Sequence, residues 1–373
     1  MSAKRIVLVG AGHAHMLLLR DGRFLAARPT IILIDATGRF VYSGLATGVL
    51  GGMYESALDT VEVEPLVRRV GGRLIIDRVS EVDRDSKRVE LTSGASVAYD
   101  FVSFNIGSES NDGDIDGARE HAWTVKPIES LFRLREAIET RFAARSDEVS
   151  AVVIGGGPTG CEVAANLVDL ARRHEHAIAV SLVHSGSRLL LDWSKGAAAS
   201  ILDELESAGV TVRLDSRVDL INSERVDLQD GRSIPAEFVV LANGLCPPGL
   251  FRRGGFRVDD DGALLTRRTL QAVDDDHVFG VGDCAAIAGE ARPRLGVFAV
   301  RATPVLRDNL FALMNDRPLR QYQPQKRYLS VINLGRGRGL AIRGSCYWRG
   351  RRAMDLKDRI DRRFLSKLRT PDS

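Results

Sequence analysis

The sequence has little of what would mark a disulfide-stabilised, metal-binding or membrane-spanning protein. Only 4 of its 373 residues are cysteines, and they are too scattered for a disulfide framework or a zinc site: Cys161, Cys246, Cys284 and Cys346. No apolar run approaches the roughly 20 residues that cross a bilayer, and no signal-peptide segment precedes the first apolar strand near Ile6. We therefore expect no bound metal, and a location in the cytoplasm or on the cytoplasmic face of a membrane.

The chain also lacks a strong excess of either charge. Its formal net charge is +3, which is too small to indicate a nucleic-acid-binding surface, so nucleic acid is not an expected partner. A hydrophobic content of 44% and a charged content of 27% are typical of globular proteins. With 373 residues, the chain is long enough for two or three domains of ordinary size.

The sequence does contain two glycine-rich motifs of the dinucleotide-binding kind: Gly10-Ala11-Gly12-His13-Ala14-His15 and Gly155-Gly156-Gly157-Pro158-Thr159-Gly160. Each follows an apolar β-branched run and precedes a helix-like stretch, the context that distinguishes a nucleotide site from chance glycines. The first glycine makes the turn, and the second lets backbone N–H groups approach a pyrophosphate at the helix N-terminus. The pair predicts two bound nucleotides.

An internal repeat surrounds these motifs. Residues 87–107 match residues 224–244, with Val89 opposite Val226 and Gly107 opposite Gly244. Each repeat reads as a strand, a glycine turn, a helix, a second strand, a short antiparallel meander and a final buried strand. The predicted fold class is therefore α/β, with two Rossmann-like nucleotide-binding domains.

The residue that ends the second strand of each unit determines how a ribose is recognised. In the first unit this residue is Asp35, whose carboxylate can accept hydrogen bonds from a ribose diol. In the second unit it is His184, followed by Ser185 and Arg188, so the acid that favours NADH is missing. These residues either accept a 2′-phosphate or are solvated loop residues, and the choice between NADH and NADPH stays open.

This layout resembles the two-dinucleotide-binding-domain flavoproteins, the broad family of FAD- and NAD(P)H-dependent disulfide and quinone reductases. Residues 269–283 are similar to the closing flavin motif of that family. The resemblance implies that the first unit binds FAD, that the second binds NAD(P)H, and that the second domain is inserted in the first. The implied boundaries are 1–118 and 264–320 for the FAD-binding domain, 119–263 for the NAD(P)H-binding domain, and 321–373 for a short α+β C-terminal segment.

Almost the whole chain resembles the type II NADH dehydrogenase branch, and within it the small group associated with selenophosphate synthase. The motifs include residues 10–15, 42–48, 155–162, 282–285 and 297–306. The loop at 42–52 has no cysteine, which excludes the dithiol chemistry of the disulfide reductases. The resemblance implies that NAD(P)H reduces non-covalently bound FAD, which passes two electrons to a quinone or similar acceptor.

Two features depart from this branch. His15 replaces the third glycine of the first motif, and the segment from Phe298 to Pro304 has arginine and threonine where relatives have glutamines that face the quinone. The acceptor therefore stays open. The alternatives are a sulfide- or selenide-oxidising flavoprotein that uses Cys246 and Cys346, and a flavin-based redox sensor with slow turnover.

These arguments predict two sets of cofactor-binding residues. The FAD set is Gly10, Gly12, His13, His15, Asp35, Ser43, Gly107, Gly282, Asp283 and Val297. The NAD(P)H set is Gly155, Gly157, Pro158, Thr159, Gly160, His184, Arg188 and Gly244. The two histidines of the first motif are expected to pack at the helix start beside the pyrophosphate.

Two further residues are candidates for a catalytic role. The resemblance places Glu162 close to the nicotinamide, although this acid also favours the N-terminus of its own helix. Arg301 would add positive charge near flavin N1, at the start of a helix that begins around residues 296–299. The alternative for Arg301 is a surface position on an amphipathic helix.

The last segment is predicted to form a basic amphipathic helix. Apolar residues recur at spacings of three and four from Ala353 to Leu368, and residues 351–369 contain eight basic against three acidic side chains. Such a helix binds a membrane surface, packs on the FAD domain or forms a homodimer interface. Lys357 and Asp361 fall within the apolar arc, so these alternatives stay open.

Overall fold

The computed structural model describes residues 4–23, 29–55, 60–111 and 115–369. None of the helices in these ranges combines the length and the apolar character that crossing a bilayer requires. The helices are α1 (His13–Arg20), α2 (Ser43–Leu50), α3 (Glu64–Arg69), α4 (Ala118–His121), α5 (Glu129–Ala144), α6 (Pro158–Arg173), α7 (Lys195–Ser207), α8 (Leu250–Arg253), α9 (Gly296–Met314) and α10 (Arg351–Arg369).

The first unit is built on an eight-stranded sheet. Its strands, in spatial order, are Ala285–Ile287, Leu264–Thr266, Gln271–Ala272, Asp275–Gly280, Phe101–Phe104, Arg5–Val9, Thr30–Asp35 and Arg73–Ile76. The sheet joins strands from the start of the chain with strands from residues 264–287, so the chain leaves this sheet and returns to it. Residues 6–9 are buried, as expected for a parallel strand that is covered on both faces.

The second unit has a five-stranded parallel sheet. Its strands, in spatial order, are Ala122–Thr124, Phe238–Leu241, Val149–Ile154, Ile178–Val183 and Thr211–Arg213. The two sheets confirm the predicted α/β class with two Rossmann-like units.

Smaller sheets complete the fold. The antiparallel meanders of the repeat are Val79–Asp83, Arg88–Leu91 and Ser96–Ala98 in the first unit, and Val218–Ile221, Arg225–Leu228 and Ser233–Pro235 in the second. Two-stranded pairs join Glu109–Ser110 to Leu245–Cys246, and Arg39–Val41 to Thr60–Glu62. The C-terminal segment consists of the sheet Ser330–Asn333, Gly339–Arg343 and Cys346–Gly350, followed by α10.

Candidate active site

A cleft of about 910 Å³ opens at the C-terminal edge of the large sheet. The strands Arg5–Val9, Thr30–Asp35 and Phe101–Phe104 are parallel neighbours, so the residues at their ends meet at this edge. Open α/β sheets bind their ligands there. Eight of the residues predicted to bind FAD line this cleft, which we call the flavin cleft: Gly10, Gly12, His13, Asp35, Ser43, Gly107, Gly282 and Asp283.

Gly10 and Gly12 pack so closely against Asn105 that neither position has room for a side chain. Gly10 has a φ of +86°, and a Cβ atom on it would lie 2.6 Å from the carbonyl oxygen of Asn105. A Cβ atom on Gly12 would lie 2.4 Å from the Asn105 side-chain oxygen. The bare backbone is therefore required at this turn, as the close approach of a pyrophosphate also demands. The residues present fit the phosphates of FAD.

Asn105 is a site residue that the sequence argument missed. It is buried, its Oδ1 accepts a hydrogen bond from the Ala14 N–H at 2.9 Å, and its Nδ2 donates to the Val281 carbonyl at 2.8 Å. The side chain thus ties the first turn of α1 to the residue before Gly282. The available signal was an asparagine directly after a buried strand.

Asp35 is held in one orientation by backbone hydrogen bonds. Its Oδ2 accepts from the Ala11 N–H at 2.9 Å, and its Oδ1 accepts from the N–H groups of Thr37 and Gly38 at 3.0 and 2.9 Å. The carboxylate therefore lines the flavin cleft in a fixed position at the end of its strand.

Asp283 and Lys126 both line the flavin cleft. The Ser108 hydroxyl donates to Asp283 Oδ2 at 3.4 Å. Burial raises the pKa of Asp283, and the positive charge of Lys126 is the largest influence that opposes this rise. Lys126 was not among the predicted site residues, although it lies in the segment that crosses between the two units.

The start of α9 also lines the flavin cleft. The helix begins at Gly296, and Leu295 provides no side-chain cap. The Phe298 N–H donates to the Leu295 carbonyl at 3.0 Å, so the N–H groups of Gly296 and Val297 are the ones available to a ligand. Gly296 and Ala299 line the cleft, which places the positive end of the helix dipole there. The predicted helix start is confirmed.

Arg301 and Val297 differ from the other residues predicted near the flavin. Neither residue lines the flavin cleft, and Arg301 is exposed. The cause is helical geometry, because Arg301 is two residues, or about 200°, around the helix from the inward-facing Ala299. The charge that α9 presents to the cleft is therefore that of its backbone.

The two histidines of the first motif have different environments. His13 lines the flavin cleft and packs against Phe40, Tyr42 and Phe364, with ring centroids 5.2 to 5.5 Å apart. His15 does not line the cleft and is completely buried. His15 therefore packs at the helix start and has no surface in the flavin cleft.

His15 connects the glycine turn to the strand Phe101–Phe104 on its buried side. Its Nδ1 donates to the Gly10 carbonyl at 2.7 Å, and its Nε2 lies 2.9 Å from the Ser103 hydroxyl. Burial lowers the pKa of both His15 and His13 to about 4, so each ring is neutral at physiological pH. Nε2 of His15 then accepts from the hydroxyl.

We expect His13 and His15 to reduce the stability of the flavin-binding unit as the pH falls from 6.5 to 4, relative to a variant that lacks one of these histidines. In this window the unfolded chain takes up protons on both histidines and the folded protein does not, which costs about 3 kcal/mol for the fully buried His15. Denaturant unfolding at pH 7.5, 6 and 5 measures the loss. His13→Phe preserves the aromatic cluster and should reduce the slope by about one proton, whereas equal slopes for both proteins would contradict the assignment.

A second cleft, of about 580 Å³, lies at the C-terminal edge of the five-stranded sheet. We call it the nicotinamide cleft. The predicted residues that line it are Gly155, Gly157, Pro158, Thr159, His184 and Gly244. A Cβ atom on Gly157 would meet no protein atom within 4 Å, whereas one on Gly160 would lie 1.8 Å from the Gly155 carbonyl oxygen. Gly157 is therefore open to a ligand, and Gly160 is needed for close packing inside the motif.

Arg188 is not placed to contact a 2′-phosphate. Its guanidinium donates to the carbonyls of Leu189, Leu190 and Leu191, so it caps its own loop and does not line the nicotinamide cleft. Arg217, which was not predicted, does line the cleft and is exposed. The local sequence around Arg188 carried no signal of this turn back onto the loop.

Glu162 lies at the junction of three parts of the chain. Its Oε1 accepts from the Asn333 N–H at 2.7 Å and its Oε2 accepts from the Thr47 hydroxyl at 3.1 Å. Burial raises its pKa, and the positive charge of Lys357 is the largest influence in the opposite direction. Glu162 lines neither cleft, so its observed role is to connect α6 with α2 and the C-terminal sheet.

The C-terminal helix α10 packs on the flavin unit through a polar network. Lys357 donates to Asp361 Oδ2 at 2.6 Å and to the Gly44 carbonyl at 2.5 Å, and the Tyr42 hydroxyl donates to Asp361 Oδ1 at 2.8 Å. The Tyr54 hydroxyl donates to Asp358 at 2.9 Å. Of the alternatives for this helix, packing on the FAD domain is the one that the structure contains.

Known proteins share the sequence pattern of this chain. Residues 4–303 match the family model of the pyridine nucleotide-disulphide oxidoreductases. A type II NADH:quinone oxidoreductase from Haemophilus influenzae is 23% identical over 369 residues, which cover 86% of this chain and 83% of that protein.

Two solved structures share the fold over nearly the whole chain. The sulfide:quinone oxidoreductase from Aquifex aeolicus superposes with a TM-score of 0.83 at 17% identity and covers 98% of this chain and 92% of its own. NDH2 from Plasmodium falciparum in complex with NADH gives a TM-score of 0.82 at 15% identity and covers 98% and 97%.

Proposed function

The chain belongs to the pyridine nucleotide-disulphide oxidoreductase family, and on that basis we propose that it passes two electrons from NAD(P)H through FAD to a quinone or a similar acceptor. Family membership confirms the predicted use of FAD and NAD(P)H. When bound, FAD accepts a hydride from the nicotinamide and passes the electrons on. The type II NADH:quinone oxidoreductase relatives support a quinone as the acceptor.

The observation that carries this proposal is the contact between the two clefts. Lys126 lines the flavin cleft and its neighbour Val125 lines the nicotinamide cleft. Leu241 likewise lines the flavin cleft, and its neighbour Ala242 lines the nicotinamide cleft. The two clefts are therefore adjacent at these two places, which allows the reacting rings to be positioned for direct transfer.

The cysteines support transfer without a dithiol. The four cysteines form no disulfide with one another, and burial raises the pKa of Cys284 to about 12 and raises that of Cys161 further. Cys246 is half-buried beside Glu109, and Cys346 is exposed in a different sheet. Because Glu109 lines the flavin cleft, Cys246 is the residue that favours sulfide oxidation as a second candidate function.

The nicotinamide cleft suits NADPH as well as NADH. Ser185 and Arg217 line it, and none of the described residues that line it is acidic. A hydroxyl and a guanidinium can bind a 2′-phosphate, and no carboxylate is present in this set to repel it.

Anaerobic mixing of the FAD-loaded protein with candidate reductants tests the proposal. Rapid bleaching of the flavin by NADH or NADPH, followed by reoxidation on adding a soluble quinone, is the expected result. Bleaching by sulfide or selenide alone would assign the second candidate and would agree with the resemblance to the selenophosphate-synthase-associated group, which rests on sequence motifs. Bleaching much slower than seconds by every reductant would favour a redox sensor.

We also propose that the outer face of α10 touches an anionic membrane surface. The exposed face of α10 carries one acidic residue, Asp355, one apolar residue, Ile360, and a majority of basic side chains: Arg351, Arg352, Arg359, Arg362, Arg363 and Lys367. Cosedimentation with anionic vesicles should be lost when Arg359, Arg363 and Lys367 are changed to glutamate, and should be weak with neutral vesicles. Binding that survives this charge reversal would exclude the surface.

A further inference from the structure

Among the described cations whose charge acts on Asp283, Lys126 is the one that lines the flavin cleft. The carboxyl of Asp283 lies in the field of three cations: Lys126, Arg292 and Arg294. Arg292 donates to the Ala285 carbonyl at 3.2 Å, and Arg294 pairs with Asp261 at 2.7 Å. Both arginines line a smaller cavity beyond Asp283 and not the flavin cleft.

The ammonium group of Lys126 is free to meet a ligand. Within the ranges that the structure describes, its backbone N–H donates to Ser110 at 2.9 Å, but its Nζ makes no hydrogen bond and no ion pair. The side chain is half-buried, and its charge lowers the pKa of His13 as well as that of Asp283. Lys126 is therefore close to the start of α1 and to the closing flavin motif.

The position of His13 indicates which half of the cofactor Lys126 would face. A Cβ atom on Gly296 would lie 3.1 Å from His13 Nε2, so the start of α9 and His13 are adjacent. The ribose end of the flavin cleft is marked by Asp35, on a different strand end. Lys126 thus belongs to the part of the cleft where the α9 dipole would meet the flavin ring.

We propose that Lys126 faces the flavin half of bound FAD and stabilises the negative charge that the ring gains on two-electron reduction, the role predicted for Arg301. A hydride brings two electrons and one proton to a neutral ring, so one negative charge must be accommodated. The ammonium supplies the opposite charge and keeps its own proton throughout. This inference rests on the proposed function only in taking FAD as the cofactor.

The burial of Lys126 fits this role. Burial lowers its pKa, while the carboxylates of Asp283 and Glu129 oppose that change and help to keep the group charged. A cation in a partly desolvated cleft acts more strongly on a nearby charge than one in water. The exposed guanidinium of Arg301 lacks this advantage.

The midpoint potential of the bound FAD tests the proposal. Reduction by dithionite with a reference dye makes the measurement independent of NAD(P)H and of any acceptor. We expect Lys126→Met to lower the preference of the site for reduced over oxidised flavin about tenfold, which equals about 30 mV for a two-electron couple. Lys126→Arg keeps the charge and should remain near the unmodified protein.

The potentials of the Lys126 and Arg301 variants decide between the two cations. An unchanged potential in Lys126→Met, or a decrease in Arg301→Met without one in Lys126→Met, would overturn the assignment. If Lys126→Met loses flavin on purification, titration of the apoprotein with oxidised and with dithionite-reduced FAD replaces the measurement of the potential. The affinity for reduced FAD must then fall about tenfold more than the affinity for oxidised FAD. Failure of NAD(P)H to bleach the flavin would refute the proposed function and would leave this measurement intact.

Discussion

Gly157→Ala should weaken the use of NAD(P)H by about tenfold to a hundredfold in KM and leave the fold and the bound FAD unchanged. A methyl group on Gly157 meets no protein atom within 4 Å, so the protein itself tolerates it. It would occupy the nicotinamide cleft where a pyrophosphate approaches the start of α6. Overpacking of this kind costs about 1–3 kcal/mol, which corresponds to the stated range.

Steady-state kinetics and thermal unfolding of the same variant provide the measurement. Gly22→Ala is the matched control, because this glycine also has open space around it and lies outside both clefts. Gly160→Ala should instead reduce stability, because its Cβ atom would lie 1.8 Å from the Gly155 carbonyl oxygen. A normal KM in Gly157→Ala would mean that the nucleotide does not bind at this motif.

Lys357→Met should destabilise the protein by about 3–5 kcal/mol, because it leaves the Asp361 carboxylate buried without its partner. The side chains of Lys357 and Asp361 are only 10% and 7% exposed, and their ion pair measures 2.6 Å. The network that anchors α10 to Tyr42 and Gly44 depends on this pair. Lys367 is an exposed lysine on the same helix, and Lys367→Met should change the free energy of unfolding little.

The loss in Lys357→Met should be larger at pH 8 than at pH 5. Burial raises the pKa of both Asp361 and Glu162 in the folded protein, and Lys357 opposes the rise at each. A carboxyl with a raised pKa binds more protons when folded, so stability falls as the pH rises from the unfolded pKa through the folded one. Removing Lys357 raises the pKa values of both carboxyls further, so the fall in stability extends towards neutral pH.

Denaturant unfolding at the two pH values measures this difference. Adding Asp361→Asn to Lys357→Met removes the buried charge and keeps an acceptor for Tyr42, so most of the stability should return. Any pH dependence of the double variant beyond that of the unmodified protein would come from Glu162. A loss that is equal at pH 5 and pH 8 would show that packing, and not charge, dominates at Lys357.

The sequence predicted the parts of the site that depend on local backbone chemistry. Gly10, Gly12 and Gly157 lie where the motifs placed them, because a strand-to-helix turn beside a phosphate requires bare backbone. Asp35 and the start of α9 were predicted for similar reasons, since each follows directly from a strand end or a helix start.

The side chains that reach across the fold could not be predicted in this way. Arg188 turns back onto its own loop and Arg301 projects away from the cleft, and both look like cofactor ligands from sequence spacing alone. Lys126 and Asn105 enter the flavin cleft from segments whose pattern indicated only a crossover and a strand end. Spacing along the chain does not encode which way a long side chain points.

By itself, the sequence determined two nucleotide-binding units, the class of chemistry and the residues of the two glycine turns, because these depend on contacts between near neighbours in the chain. The tertiary structure decided that Lys126 shares the flavin cleft with Asp283, that Glu162 joins α6 to α2, and that α10 packs on the flavin unit. These features depend on contacts between residues far apart in sequence, and on burial that only the packed chain creates.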